Sequence, residues 1–467
     1  MNYQASKIRN VALIGHGGDG KTTLTEALLY SIGAVDRFGK VDEGNSTTDF
    51  DPEEIKRHIS ISSAIAPIEV NGYKLNIIDC PGYFDFVGEM VSALSVADGA
   101  VIVVNAVSGM IVGTEKALDA AKKAGIARMI FVGQMDRENA SFDKALAQLK
   151  GKYGTAIAPI MFPIVENGKM VGYIDVILNK AFKFEGKNEV SIPVPAELVS
   201  KVSEARDVLT EAAAENDEKL MDKFFNGEVL TDEELINGLA LGIASGSTIP
   251  VMCGSAFEMK GISFLISQMI NCIPSPENKV YVGMNNEKRK CNESEPFSAY
   301  VFKTITDPFV GKLSVFKVLS GELKPTTSLV NSANEKHEKI GTIYIMKGKK
   351  QTAVEKLSSG DIGALAKLQF TFTGNTLCEE GKLITYKQIE LPKPSISMAV
   401  YPKNMGDEDK VFSGLRRLEE EDLTFKLEKN EETNEMLISG IGELHLEIIT
   451  KKLKNKFNVE VNLQNPK

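Results

Sequence analysis

Short apolar runs alternate with longer stretches whose apolar residues recur every three to four positions, and this rhythm governs the first part of the chain. The run Val11-Ala12-Leu13-Ile14 reads as a strand, and a helical pattern through Leu24, Ala27 and Leu28 begins ten residues later. Residues 60–70 and 73–79 read as two strands joined by Asn71-Gly72, a strong two-residue hairpin signal. Buried strands at 100–105 and 129–132 flank a helical stretch at 117–124, and another helix is expected at 144–150. Strands alternating with helices predict a parallel sheet covered on both faces. Residues 36–59 are polar without a sustained period, which predicts a mobile loop.

The rhythm then changes. Residues 152 to about 247 carry a hairpin signal, Glu166-Asn167-Gly168, and a long acidic helical pattern at 195–225, and together they read as an insertion. The acidic face is most simply a solvated surface, with a protein-docking face as the alternative. A last strand at 250–256 and a closing helix at 264–273 complete the first unit. A polar linker starts at Pro274-Ser275-Pro276-Glu277 and runs to Ser294. Between 297 and 389, short apolar runs broken by Gly311, Gly321, Gly341, Gly360 and Gly374 predict a small β-barrel. After the joint Leu391-Pro392-Lys393-Pro394, the order is strand 396–401, a helix with Val411, Phe412, Leu415 and Leu418 on one face, strands around Phe425 and at 436–438, a helix with Ile441, Leu444 and Ile448, and strand 458–463. That is the ferredoxin-like βαββαβ unit. The expected class is a multidomain α/β, β and α+β protein: a parallel-sheet α/β domain at 1–280 with an insertion at about 152–247, a barrel at 294–390 and the βαββαβ domain at 394–467.

A chain of 467 residues exceeds what one hydrophobic core supports. With 43% hydrophobic and 25% charged residues it reads as an ordinary globular protein. No apolar run approaches the roughly 20 residues of a membrane span, and Met1-Asn2-Tyr3-Gln4 opens no signal peptide, so the expected location is the cytoplasm and no membrane partner is expected. Cys80, Cys253, Cys272, Cys291 and Cys378 are scattered and without a C-x-x-C pair, which argues against disulfides and structural zinc. A net charge of −9 disfavours broad nucleic-acid binding, so DNA is not an expected partner and RNA would be met through local patches.

The segment Gly15-His16-Gly17-Gly18-Asp19-Gly20-Lys21-Thr22 sits between a strand and a helix, the context a phosphate loop needs. Its main-chain N–H groups would turn inward around phosphate oxygens, Lys21 would reach the outer phosphates, and the Thr22 hydroxyl can hold Mg²⁺. The same letters contain Gly15-x-Gly17-x-x-Gly20, a dinucleotide fingerprint. That alternative needs an acidic residue closing a second strand about 20 residues on. Asp36 and Asp42 lie in polar sequence with no strand before them, and neither this reading nor a structural turn explains Lys21-Thr22. The strand ending at Ile78 delivers Asp79-Cys80-Pro81-Gly82 to its carboxyl end, where a second aspartate could bind Mg²⁺ and the Gly82 N–H could meet the terminal phosphate.

Taken in order, these stretches resemble the translation GTPases, specifically elongation factor G and its factor-G-like relatives. The likeness spans essentially the whole chain: residues 44–49, Asp51-Pro52-Glu53-Glu54, 79–86, Gly254-Ser255-Ala256 and 440–447 all look like family signatures. The resemblance implies GTP/GDP and Mg²⁺ as cofactors, the ribosome as partner, and a monomeric GTPase that switches conformation on hydrolysis. It places Thr22, Ser60 and Asp79 at the metal. His16, Gly17, Gly18, Asp19, Gly20, Lys21, Thr22, Thr23, Gln134, Asp136, Gly254, Ser255 and Ala256 are placed at the nucleotide. Asp136 would read guanine N1–H and N2–H₂, and Ala256 would offer its N–H to guanine O6. Lys21, Gly82 and Tyr83 are given parts in hydrolysis.

Three departures qualify this. Gly133-Gln134-Met135-Asp136 stands where the family has Asn-Lys-x-Asp, and contacts worth about 0.5–1.5 kcal/mol each predict nucleotide binding weakened by roughly ten- to a hundredfold. Tyr83 stands at the position of a histidine that orients the attacking water, as it also does in the factor-G-like relatives. Its neutral hydroxyl predicts slow hydrolysis, with packing under the switch as the plainer role. Asp19 lies one place later than the family's loop aspartate. His16 is expected beside the site, His58 in the first switch, His337 on the barrel surface and His445 on a helix, none with a second metal ligand nearby. Elongation factor G proper continues with two more domains, so residues 1–467 alone are not expected to translocate. A guanine-nucleotide-binding ribosome module without turnover, or a factor that protects ribosomes from a drug, is the alternative function.

Overall fold

The computed structural model describes residues 2–307 and 311–467. The first sheet has seven strands and grows outward from β1 (Ile8–Gly15). Helix α1 (Lys21–Ser31) follows directly, and the loop after it contains α2 (Pro52–Arg57). Strands β2 (Ala64–Val70) and β3 (Tyr73–Asp79) form a hairpin whose turn residues, Asn71 and Gly72, both have positive φ, as the Asn-Gly pair predicts. Then come α3 (Val87–Val96), β4 (Gly99–Asn105), α4 (Val112–Lys123), β5 (Ala127–Gly133), α5 (Phe142–Tyr153) and β6 (Ile157–Pro159).

Strands β7 (Met161–Glu166), β8 (Lys169–Asp175), β9 (Lys180–Glu185) and β10 (Asn188–Ile192) make a separate antiparallel sheet. Helices α6 (Val199–Ala214), α7 (Glu218–Phe225) and α8 (Asp232–Ser245) precede β11 (Ile249–Cys253) and α9 (Ile262–Cys272). The main sheet runs β2-β3-β1-β4-β5-β11-β6, and every pair is parallel except the β2–β3 hairpin. Its strands are buried on both faces, as runs such as Val101–Val104 require when helices cover both sides.

Four sequence expectations need correcting. The stretch 36–59 is not unstructured: Asp51 and Glu54 form a reciprocal capping box with Pro52 at the first position of α2. The stretch 152–247 is not wholly separate, because β6 pairs with β11 as the edge of the main sheet. The acidic pattern at 195–225 is two helices, because Asp217 caps α7 and ends the continuity with α6. The linker at 274–294 holds a small hairpin, β12 (Val280–Val282) and β13 (Lys288–Lys290).

The next sheet contains eight strands: β14 (Ser298–Asp307), β15 (Gly311–Ser320), β16 (Leu329–Asn331), β17 (Lys336–Glu338), β18 (Ile343–Lys347), β19 (Lys350–Val354), β20 (Ile362–Ala366) and β21 (Thr376–Glu379). It has its own core around Val301, Phe316 and Leu365. The last stretch forms β22 (Ile396–Pro402), α10 (Glu408–Glu421), β23 (Lys426–Lys429), β24 (Met436–Gly440), α11 (Glu443–Phe457) and β25 (Val461–Gln464), in sheet order β23-β24-β22-β25. That is the expected βαββαβ arrangement. Phe412 departs from the expected apolar face of α10: it is 43% exposed, while Val411, Leu415 and Leu418 are buried.

The two later sheets meet the first in different ways. Lys74 on β3 pairs with Asp361 at 2.8 Å and Lys317 on β15 pairs with Asp98 at 2.8 Å, all four side chains buried. Asn76 and Asn10 complete this network, which leaves few buried polar groups unsatisfied. By contrast, α11 touches loop residues. Asp85 accepts the His445 N–H at 3.0 Å, and Arg57 pairs with Glu447 at 2.6 Å.

Candidate functional site

A cavity of about 610 Å³ opens at the carboxyl ends of β1, β3 and β5, where parallel sheets offer their loops to ligands. The glycine loop forms its floor. Gly20 caps α1 at φ 91°, a left-handed conformation that glycine adopts without strain, and Gly17 to Leu24 line the cavity, so the first turn of α1, where backbone N–H groups have no partner within the helix, borders it. Lys21 is 5% exposed, and its Nζ donates to the carbonyl oxygens of His16 at 2.7 Å and Gly15 at 3.2 Å. Burial lowers its pKa, and the nearby carboxylates of Asp79 and Asp19 oppose that shift. Gly82 leaves no room for a side chain, since a Cβ there would strike Lys21 Nζ and Gly17 N. The second loop therefore lies directly on the first.

The loop at 36–60 folds over this floor. Thr22 Oγ1 and Ser60 Oγ lie 3.0 Å apart, and Thr48 Oγ1 donates to Asp79 Oδ2 at 2.6 Å. Asp79 is fully buried, which raises its pKa against the lowering effect of the threonine hydroxyls. Its Oδ1 has no partner among the described residues. Asp49 lines the cavity with both carboxylate oxygens unpartnered, and burial, then Asp79 and Glu54, push its pKa up to about 8. Burial likewise pushes Asp19 up to about 6 against the pull of Lys21. Glu54 accepts the N–H groups of Asp51, Ile61 and Ser62, each at 3.0 Å, and burial pushes its pKa up to about 7 despite those bonds.

Among the described residues no three His, Cys, Asp or Glu side chains cluster as a metal cage. Two hydroxyls and one buried carboxylate with an unpartnered oxygen remain, a donor set that fits Mg²⁺, which keeps water and phosphate ligands of its own. Tyr83 is 43% exposed, lines the cavity and lays its ring against Gly17, where a Cβ would come 2.8 Å from the ring. His16 contributes its carbonyl to the site, whereas its ring turns toward Gly113 and sits edge-on to Phe84.

At the other end, Gln134 stands at φ 60° and its Nε2 donates to Gly18 O at 3.1 Å. Asn105, at the end of β4, donates to Gln134 Oε1 at 3.2 Å and so fixes which way the amide faces. A chain of two side chains thus ties the strand ends to the phosphate loop, although the sequence Gly133-Gln134 departs from the family pattern. Asp136 lines the cavity, and Ser255 Oγ donates to its Oδ1 at 2.6 Å. Ser255 is buried behind the wall, and Gly254 accepts the Met135 N–H at 3.1 Å, so both support the lining residues. Thr23 and Ala256 line the cavity, as do Phe38 and Phe257, whose rings meet edge to face at 6.3 Å.

Sequence reasoning missed Asn105, Thr48, Asp49, Glu54 and the two phenylalanines as site residues. Residues 44–49 and 51–54 stood out as signatures without a role. The capping box was the available signal for Glu54, and the aromatic pair had none.

The fold and the cavity define a phosphate-loop nucleotide-binding protein carrying a β-barrel and a βαββαβ unit. The family profile described as "Elongation factor Tu GTP binding domain" matches residues 6–275. "Elongation factor G domain 2" matches 296–380, and "Elongation Factor G, domain III" matches 391–465. A crystal structure of a protein from Thermus thermophilus matches with a TM-score of 0.90 and 36% identity, over 99% of this chain and 68% of that one. The chain belongs to the translation GTPases of the elongation factor G type, and its first unit is a GTP-binding domain.

Proposed function

We propose that the chain hydrolyses GTP to GDP and phosphate in a Mg²⁺-dependent cycle that the ribosome stimulates, acting in the cytoplasm as a monomer. The observation that carries this reading is the pair of contacts Thr22–Ser60 and Thr48–Asp79, which hold the loop at 36–60 over the phosphate loop. Loss of the terminal phosphate removes what those loops gather around, and release of such segments is a recurrent switch.

The glycine-loop amides and Lys21 bind the phosphates and neutralise charge that builds during transfer. Thr22, Ser60 and Asp79 would hold Mg²⁺, which when bound shields the phosphate oxygens. Gly82 brings its main chain to the terminal phosphate. Tyr83 sits over Gly17 as a neutral hydroxyl able to hydrogen-bond a water but not to supply an imidazolium. Acid–base groups contribute about 10² to 10⁴ in rate, so turnover without a partner is slow. At the base end, Asp136, held by Ser255, accepts the two N–H donors that guanine presents and adenine does not, while Ala256 offers its N–H to O6. The units at 1–280, 294–390 and 394–467 pass the loop change outward, chiefly through the contacts of Asp85 with His445 and of Arg57 with Glu447 on α11. No helix among the described residues is long and apolar enough to cross a membrane.

Single-turnover hydrolysis of GTP with and without purified ribosomes tests the proposal. Phosphate release that is slow alone and accelerated by ribosomes is expected. GTP that binds and stays intact in both conditions would mark a non-hydrolysing module.

A further inference from the structure

Helix α1 carries a buried carboxylate that the cycle above does not use. Glu26 lies one turn beyond Thr22 and is 1% exposed. Its Oε2 accepts the Gly39 N–H at 3.0 Å and its Oε1 accepts the Thr47 N–H at 2.5 Å. Among the described residues no lysine or arginine pairs with it. A buried charge satisfied only by main-chain donors is stable while both remain in place. The segment between those donors is a closed loop, with the Lys40 N–H donating to Asn45 Oδ1 at 2.7 Å and the Asn45 N–H returning to Lys40 O at 3.3 Å. Glu26 therefore staples the neck of this loop to the helix whose first residues line the phosphate floor.

The residues after the neck are the ones that matter to the site. Thr48 donates to Asp79, and Asp49 faces the cavity. On its outer side, Thr47 is backed by the tip of the β18–β19 hairpin. Gly348, at φ 53°, donates its N–H to Ile65 O at 2.8 Å, and a Cβ on it would collide with Thr47 O. Thr47 is thus held between α1 and the barrel. If the loop lifts, water reaches the carboxylate and replaces both donors, so the carboxylate is satisfied by main-chain N–H groups in one arrangement and by water in the other.

We infer that Glu26 is a positioning residue that sets Thr48 and Asp49 for the triphosphate state, and so raises the preference for GTP over GDP. This rests on the proposed GTPase cycle. Glu26→Gln keeps the shape and one acceptor oxygen but turns an NH₂ toward the other main-chain N–H. Affinity for a non-hydrolysable GTP analogue, measured by calorimetry with saturating Mg²⁺, is expected to fall roughly tenfold, the worth of one charge-assisted hydrogen bond, with GDP affinity unchanged within about twofold. Equal losses for both nucleotides, or no loss for either, would overturn the inference. Hydrogen exchange on the unaltered protein gives a check that does not depend on the variant. The Gly39 and Thr47 amides are expected to be protected with the analogue and to exchange rapidly with GDP, and equal protection in both states would also overturn it. Unaltered protein that binds neither nucleotide would refute the GTPase reading itself, whereas normal binding without a selective loss in the variant would refute only the role of Glu26.

Discussion

The two ends of the cavity are built to different standards. At the phosphate end a buried lysine, one hydroxyl from α1 and one from the end of the loop at 36–60, and three buried carboxyl groups converge, and Gly82 lies so close to Lys21 that no side chain fits between them. At the other end, where we propose that the base sits, one carboxylate is fixed by Ser255 and an amide strut runs from Gln134 to Gly18. Electrostatic contacts in a dry pocket are strong and insensitive to small changes in the ligand's organic part. Identity must then be decided by the fewer contacts at the other end. Affinity and selectivity are therefore separable in this site, and substitutions at the two ends should fail differently.

The largest effect belongs to the phosphate end. Lys21→Ala removes a buried ammonium and leaves Asp19 and Asp79 without their cation, so GTP and GDP affinities should both fall by about a hundredfold or more in a fluorescent-nucleotide titration. Retained affinity for either nucleotide would break the contrast. A smaller effect is expected from Gln134→Ala, which cuts the strut. One neutral hydrogen bond is worth about 0.5–1.5 kcal/mol, so GTP and GDP should weaken together by roughly three- to tenfold, with guanine still preferred over adenine. Loss of base preference in this variant would show that Gln134, and not Asp136 alone, reads the base.

The smallest effect concerns the frame of the folded loop. Glu54 has its pKa pushed from the ordinary 4.5 up to about 7 by burial, so between those values the folded protein keeps a proton that the unfolded chain has released. Raising the pH through this window lowers the stability of nucleotide-free protein, and the part of the slope that Glu54 contributes ends above about 7. Glu54→Gln should flatten the decline in Tm between pH 5 and pH 8 without abolishing it, because Asp19 and Asp49 shift in the same direction. An unchanged slope would show that Glu54 does not carry the extra proton.

How much of this was legible before the structure follows from the range of the interactions. The strand, glycine loop and helix at residues 8–31, the Asn71-Gly72 turn and the βαββαβ order are all specified by neighbours in sequence, and they were readable. Thr48 on Asp79 spans 31 residues and Gln134 on Gly18 spans 116, and no local pattern announces such pairs. Strand β6 has three residues and is a strand only because β11 offers it an edge. Helix α2 is the instructive intermediate case: its six residues are too few for a period, yet Asp51, Pro52 and Glu54 state its start plainly. Phe412 was placed on the wrong face because it adjoins Val411, and a residue one position along a helix turns about 100° away.

The central claim is that one carboxylate, Asp136, chooses the base for a cavity whose phosphate end would accept any nucleoside triphosphate. Competitive titration of the unaltered protein and of Asp136→Asn with GTP, ATP and XTP tests it most directly. The unaltered protein should prefer GTP, and the variant should lose GTP affinity while gaining XTP, whose 2-oxo group accepts from the new amide. Equal affinity of the unaltered protein for GTP and ATP, or a variant that still prefers GTP, would contradict the account.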